Sequence, residues 1–238
     1  ETIAYQELDS IDNASLYVDD DVVEVFIRAN SGGTKLSKSD LLFSLLISSW
    51  EDADREVEDL LKSLNANDFK FDRDFVLKTC MTLLDKGARY EVDKFRDGAI
   101  RDKIMDNWDQ ISDAILDVRD FLYGKTFIRT DKALPSYLVL IPLIYFRYKY
   151  PQAFKTAKGM QEYLLRTLLT NAFTGVPDQV IDDSVVQINK DGGFDKDHLI
   201  DVIRAKGRSL EITRERLLES GYGSDLIHLV FNIWYDFN

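Results

Sequence analysis

Arg28, Asn30 and the run Ser31-Gly32-Gly33-Thr34 put a cation, an amide, two hydroxyls and two glycines into one short stretch. Successive backbone N–H groups in such a turn, beside a helix N-terminus and a basic side chain, are the parts of an anion or phosphate pocket. There Arg28 supplies charge and Asn30 an adaptable amide, and the assignment is binding with no catalytic residue. The same spacing also builds a plain corner between two helices. Asp19, Asp20 and Asp21 favour a helix start, and Asn30 or Ser31 ends that helix. Gly32 and Gly33 then turn the chain, and Ser37 with Asp40 opens the next helix as a capping-box variant.

Other chemistry-bearing residues are sparse. The two histidines are His198, in Lys196-Asp197-His198-Leu199, which reads as a surface or capping residue, and His228, which reads as a core histidine on an apolar face. No metal site is expected from them. The one cysteine, Cys80, excludes an internal disulfide, fits a reducing compartment, and lies on a core stripe where it is inert. Asp182 with Asp183, like Asp19 to Asp21, reads as solvated acid at a helix start. Asp191-Gly192-Gly193-Phe194-Asp195 is too short for a calcium loop and lacks its distal Glu, so a turn is expected.

Two basic stretches invite a nucleic-acid reading. In Tyr145-Phe146-Arg147-Tyr148-Lys149-Tyr150 rings alternate with cations, as single-strand binders require, but at helical spacing half of them face a core. Arg204, Lys206, Arg208, Arg214 and Arg216 either meet DNA or pair with Glu211, Glu215 and Glu219. The net charge of −12 and pI near 4.7 make the average surface repel phosphate, which disfavours a free-standing DNA-binding domain. No uninterrupted apolar run is long enough for a membrane span. Leu134 to Tyr150, broken by Pro135 and Pro142, reads as a buried helix. The expected location is the cytoplasm, with no membrane partner.

Helical periodicity must position these residues. Ile100, Ile104, Trp108, Ile111, Ile115, Val118 and Leu122 recur at spacings of four and three, which predicts one long amphipathic helix. Val57, Leu60, Leu61 and Leu64 form a second stripe, and Phe75, Val76, Thr79, Cys80, Leu83 and Leu84 a third. Further helices are expected at about 135–149, 157–171, 178–189, 195–205, 213–220 and 225–235. Gly87, Gly124 and Pro151 mark helix ends, Pro135 suits a first turn, and Pro142 predicts a bend. Thr2 to Leu8 alternates loosely, as a short strand does.

The predicted fold class is mainly α: an irregular multi-helix bundle with at most a short N-terminal β-strand. Linkers are expected at Asn65 to Asp72, Gly124 to Ala133 and Asp191 to Gly193. The second suggests an N-terminal helical lobe over 1–124, carrying the Arg-x-Asn-Ser-Gly-Gly-Thr turn, and a C-terminal helical lobe over 125–238. The start at Glu1 and the stop straight after the apolar run ending in Trp234 and Tyr235 suggest that both belong to one longer protein.

Phe26-Ile27-Arg28-Ala29-Asn30-Ser31-Gly32-Gly33-Thr34-Lys35-Leu36-Ser37-Lys38-Ser39-Asp40-Leu41 resembles the F-x-R-I-N-x-G-G-x-x-L-S-x-x-D-L segment of the GmrSD-type restriction endonuclease family. The departure is at Ala29, where the family usually has Ile. More loosely, Leu134-Pro135-Ser136-Tyr137, Leu168 to Gly175 with Asn171-Ala172-Phe173, and His228-Leu229-Val230-Phe231 look like the family's later segments.

The resemblance implies a protein in three parts. A ParB/sulfiredoxin-like domain with an Asp-Gly-Gln-Gln-Arg motif handles nucleotide, a helical middle comes next, and an HNH-type nuclease with a His-Ile-Phe-Pro motif ends the chain. Members act in anti-phage defence against modified DNA. This sequence contains neither motif, so by resemblance it is the helical middle. No cofactor is expected in it. Nucleoside triphosphate and a divalent metal belong to the whole protein, the partners are the N- and C-terminal domains of the same chain, DNA is met only through them, and oligomerisation stays open. The alternatives are a non-enzymatic helical protein-interaction module and an acidic DNA mimic.

Overall fold

The computed structural model describes residues 38–89, 98–218, 221 and 226–236. The stretch Thr2 to Leu8 and the turn 28–34 lie outside the described residues. Every regular element described is helical, so the fold is mainly α.

The first helices show how burial sorts the sequence. Helix α1 (Lys38–Ser49) is followed by α2 (Ala53–Leu64). On α2 the stripe Val57, Leu60, Leu61 and Leu64 is buried while Asp54, Arg55 and Lys62 stay in water. Helix α3 (Arg73–Leu83) is capped by Asp72, whose Oδ1 accepts the Phe75 N–H at 2.8 Å. From Phe75 to Leu83 every residue of α3 is buried, which makes it a central helix with no solvated face. Arg73, at its first turn, reaches Glu58 Oε1 at 2.6 Å and Asp54 Oδ1 at 2.8 Å, and its guanidinium lies over the Phe43 ring. It ties α1, α2 and α3 together.

The expected long helix is two. Helix α4 (Gly98–Asp106) and helix α5 (Trp108–Lys125) meet at Asn107, whose side-chain amide donates to the Lys103 carbonyl at 2.8 Å. An Asn side chain that competes for backbone groups interrupts a helix at little cost, and here φ −110 and ψ 10 mark the break. All seven stripe residues are nevertheless buried, because the interruption is one residue long. Gly124 does not follow α5 but lies in its last turn, and the helix is closed by Thr126, whose hydroxyl and N–H both reach the Leu122 carbonyl.

Pro135 is not in a helix. The chain runs irregularly over 134–137, forms a 3-10 turn at Leu138–Leu140, and becomes helix α6 (Ile141–Lys149) with Pro142 in the first turn. Proline has no N–H to donate, so the α-helix starts where that donor is not needed, and the expected bend is a change of helix type. Helix α7 (Pro151–Phe154) comes next, then α8 (Met160–Leu169), α9 (Pro177–Asp191), α10 (Lys196–Ala205), α11 (Arg214–Leu218) and α12 (Ile227–Asp236).

Helices α3 and α6 form the centre, and α6 packs against α3, α5 and α9. Helices on both sides of Gly124 therefore contribute to one contiguous buried cluster. Two of the expected linkers also pack on each other. Tyr137 donates its hydroxyl to Asp131 Oδ1 at 2.8 Å and accepts the Lys70 N–H at 2.7 Å, while its ring meets Phe71 edge-on at a centroid distance of 4.5 Å. The third linker is a helix end: Gly192, at φ 65, and Gly193 donate to the Asn189 and Ile188 carbonyls. No helix among the described residues is long and apolar enough to cross a membrane.

Candidate functional site

Arg28, Asn30, Ser31, Gly32, Gly33 and Thr34 lie outside the described residues. The helix shortly after them is seated firmly. Helix α1 begins at Lys38 and turns Leu42, Phe43, Leu45 and Leu46 inward, with Leu42 and Leu46 at 0% exposure. It rests on α2, α3 and α4, and Arg101 of α4 donates to the Leu45 carbonyl at 3.2 Å.

The buried polar groups nearest the centre are structural in form. Lys78 of α3 is 6% exposed and donates to the Ala88 carbonyl and to Asp178 Oδ1, each at 2.7 Å. One turn further along α9, Asp182 Oδ1 accepts the Ala88 N–H at 2.7 Å. A Cβ on Gly87, which sits at φ +77, would lie 3.3 Å from that carboxylate. Segment 85–89 is thus clamped between α3 and α9. Asp183 turns away to Lys206 at 2.5 Å, so the two adjacent acids are a latch and an ion pair. No group of three or more His, Cys, Asp or Glu side chains placed to hold a metal occurs among the described residues.

The aromatic-basic run is used internally. Tyr145 and Phe146 are buried, Arg147 pairs with Asp117, and Lys149 pairs with Asp85. Tyr145 donates to Asp85 Oδ1 at 3.1 Å and accepts from Asn189 at 2.8 Å, and burial pushes its phenol up to about 12. Three members of the second basic cluster have partners other than the glutamates named for them. Arg204 pairs with Asp201, Lys206 with Asp183, and Arg208 donates to the Thr174 carbonyl.

The histidines divide differently from expectation. His198 is exposed, its N–H is capped by Asp195 Oδ1 at 3.1 Å, and its Nδ1 lies 3.1 Å from Asp191 Oδ2. The Asp191 hydrogen bond raises its pKa. His228 is exposed and not a core residue, because Leu229 takes the inward position on α12. Cys80 is buried, and desolvation pushes its thiol up to about 12, which leaves it unreactive in the folded chain.

Among the described residues, a recess of about 590 Å³ lies between the C-terminal half of α5 and residues 154–161, with Phe121, Phe154 and Met160 in its lining and Lys125 and Lys155 beside them. A second, about 160 Å³, is lined by Pro135, Ser136, Asn171, Phe173 and Thr174, so it brings together two stretches far apart in the chain. The third, about 350 Å³, lies between α8 and α12. Sequence periodicity does not find the first, since Lys125 and Lys155 are far apart in the chain. The one signal for it is Phe121, an aromatic one place off the stripe of α5. No family model matches the chain, and no curated protein matches it.

Proposed function

We propose that the chain is the helical middle of a modification-dependent DNA restriction protein. In this reading Arg28, Asn30 and the Ser31 to Thr34 turn contribute to a nucleotide pocket, and the bundle couples that pocket to a nuclease domain. The wording of residues 26–41 carries the proposal, and the seating of the helix just after the turn supports it. A turn that senses a phosphate transmits nothing unless the element behind it is fixed, and Leu42 and Leu46 of α1 are fully buried against the bundle. Nucleoside triphosphate, divalent metal and DNA then belong to the whole protein.

The test is Arg28→Ala in the protein with its flanking domains. Losing one charge-assisted contact to a phosphate lowers nucleotide hydrolysis about tenfold or more. Turnover equal to that of the unaltered protein refutes the assignment.

A further inference from the structure

The recess beside the C-terminal half of α5 carries cations on an acidic molecule. The chain carries −12, yet Lys125 and Lys155 line the groove between α5 and residues 154–161. Asp117 and Asp120 also line it, but each is engaged: Asp117 with Arg147 at 2.5 Å, and Asp120 with Arg119 at 2.6 Å. Lys125 and Lys155 have no ion-pair partner among the described residues. Phe121 and Phe154, which also line the groove, meet edge-on, with centroids 6.2 Å apart, and both rings are only half-buried. A volume of about 590 Å³ falls inside the roughly 300–1,000 Å³ of ordinary ligand clefts.

We propose that this groove binds a planar ring that bears an anionic group, the chemistry of a nucleoside phosphate. The ring packs on Phe121 and Phe154, and the phosphate is drawn to Lys125 and Lys155. Aromatic faces accept any base, and two unmatched ammonium groups favour a dianion over a neutral ring. The site is separate from the Arg28 turn and stands on different residues. The same chemistry comes either from a free nucleotide or from one nucleotide of a single strand.

Gly124 makes the test direct. It lines the groove, and an added Cβ there meets nothing within 4 Å, so Gly124→Trp sets an indole at the groove wall from a position that tolerates a side chain. Equilibrium dialysis with AMP, adenosine and an oligothymidylate reads binding, and circular dichroism reports folding. AMP is expected to bind saturably, adenosine to bind more weakly, and added salt to weaken AMP but not adenosine. Gly124→Trp abolishes AMP binding, and Arg28→Ala leaves it intact. Should the tryptophan variant fail to fold, the exposed pair Lys125→Glu with Lys155→Glu carries the test, with about tenfold weaker AMP binding expected. Tighter binding of the oligothymidylate than of AMP assigns the ligand to a strand, and equal binding to a free nucleotide. Absence of saturable binding by either probe, or binding indifferent to both groove variants, overturns the proposal. Loss on Arg28→Ala alone overturns it in favour of the other pocket.

Discussion

Two loops of this molecule are fastened by opposite means. Segment 85–89 is held by charge: the Lys78 ammonium, withdrawn from solvent, donates to the Ala88 carbonyl and to Asp178, and Asp182 one turn along α9 accepts the Ala88 N–H. The contact between 65–72 and 131–137 is held mainly by rings. Phe69, Phe71, Phe75 and Tyr137 meet edge to face, one phenol bridges a backbone N–H and a carboxylate, and the Lys70 ammonium on Asp131 stays largely in water. A withdrawn charge is costly once uncovered, because its partners are left desolvated and unpaired. Ring packing loses strength by degrees. The first clamp is therefore expected to fail as a unit, the second piecemeal.

The contrast breaks most visibly at Lys78. Lys78→Ala strands the Ala88 carbonyl and the Asp178 carboxylate, and is expected to lower the unfolding free energy by about 3 kcal/mol in a urea titration. A loss well under 1 kcal/mol would mean that water already reaches this ammonium, and the two clamps would then be alike. Asp182→Ala is the next test. It leaves the Ala88 N–H without its acceptor and costs about 1–2 kcal/mol, with faster amide exchange at residue 88.

Tyr137→Phe sharpens the other side of the comparison. It removes both hydrogen bonds of the phenol but keeps the ring, so the expected loss is about 1 kcal/mol, and Lys70→Ala is expected to change the melting temperature immeasurably.

The Lys70 hydrogen bond holds the Asp131 carboxyl below its ordinary value. A depressed folded-state pKa contributes stability above the unfolded value that is lost as pH falls through the folded one, so the ring clamp weakens only in acid.

The smallest effect is at His198, whose pKa Asp191 raises. A raised folded-state pKa contributes stability that is complete below the unfolded value and disappears as pH rises through the folded one. The stability difference between the unaltered chain and His198→Gln should therefore shrink as pH rises above the ordinary histidine value of 6.5. A difference that grows instead would reverse the assigned sign.

These contrasts explain what can be read from the sequence. The stripe from Ile100 to Leu122 is legible because every member obeys helical spacing, and all seven residues are buried. The break at Asn107 is not, since it depends on one amide choosing the Lys103 carbonyl. Lys78 sits inside an apolar stretch where a lysine reads as the solvated face, and its carboxylate partner lies 100 positions away. Pro135 and Pro142 are equally breakers by type, and only packing decides which one enters a helix. The wording of residues 28–34 is legible in the sequence although they lie outside the described residues, whereas the ring-lined groove joins α5 to a segment beyond α6 and has no local signature.

The burial of Cys80 has a practical consequence. A lone thiol with 1% exposure at the centre of the bundle, raised to about 12, reacts with a maleimide only when α3 leaves its neighbours. Its labelling rate in dilute denaturant is thus a native clock for core opening, written into the chain without a dye or an added cysteine. With reagent in excess of reclosing, that clock counts unfolding events; with reagent scarce, it weighs the open population instead.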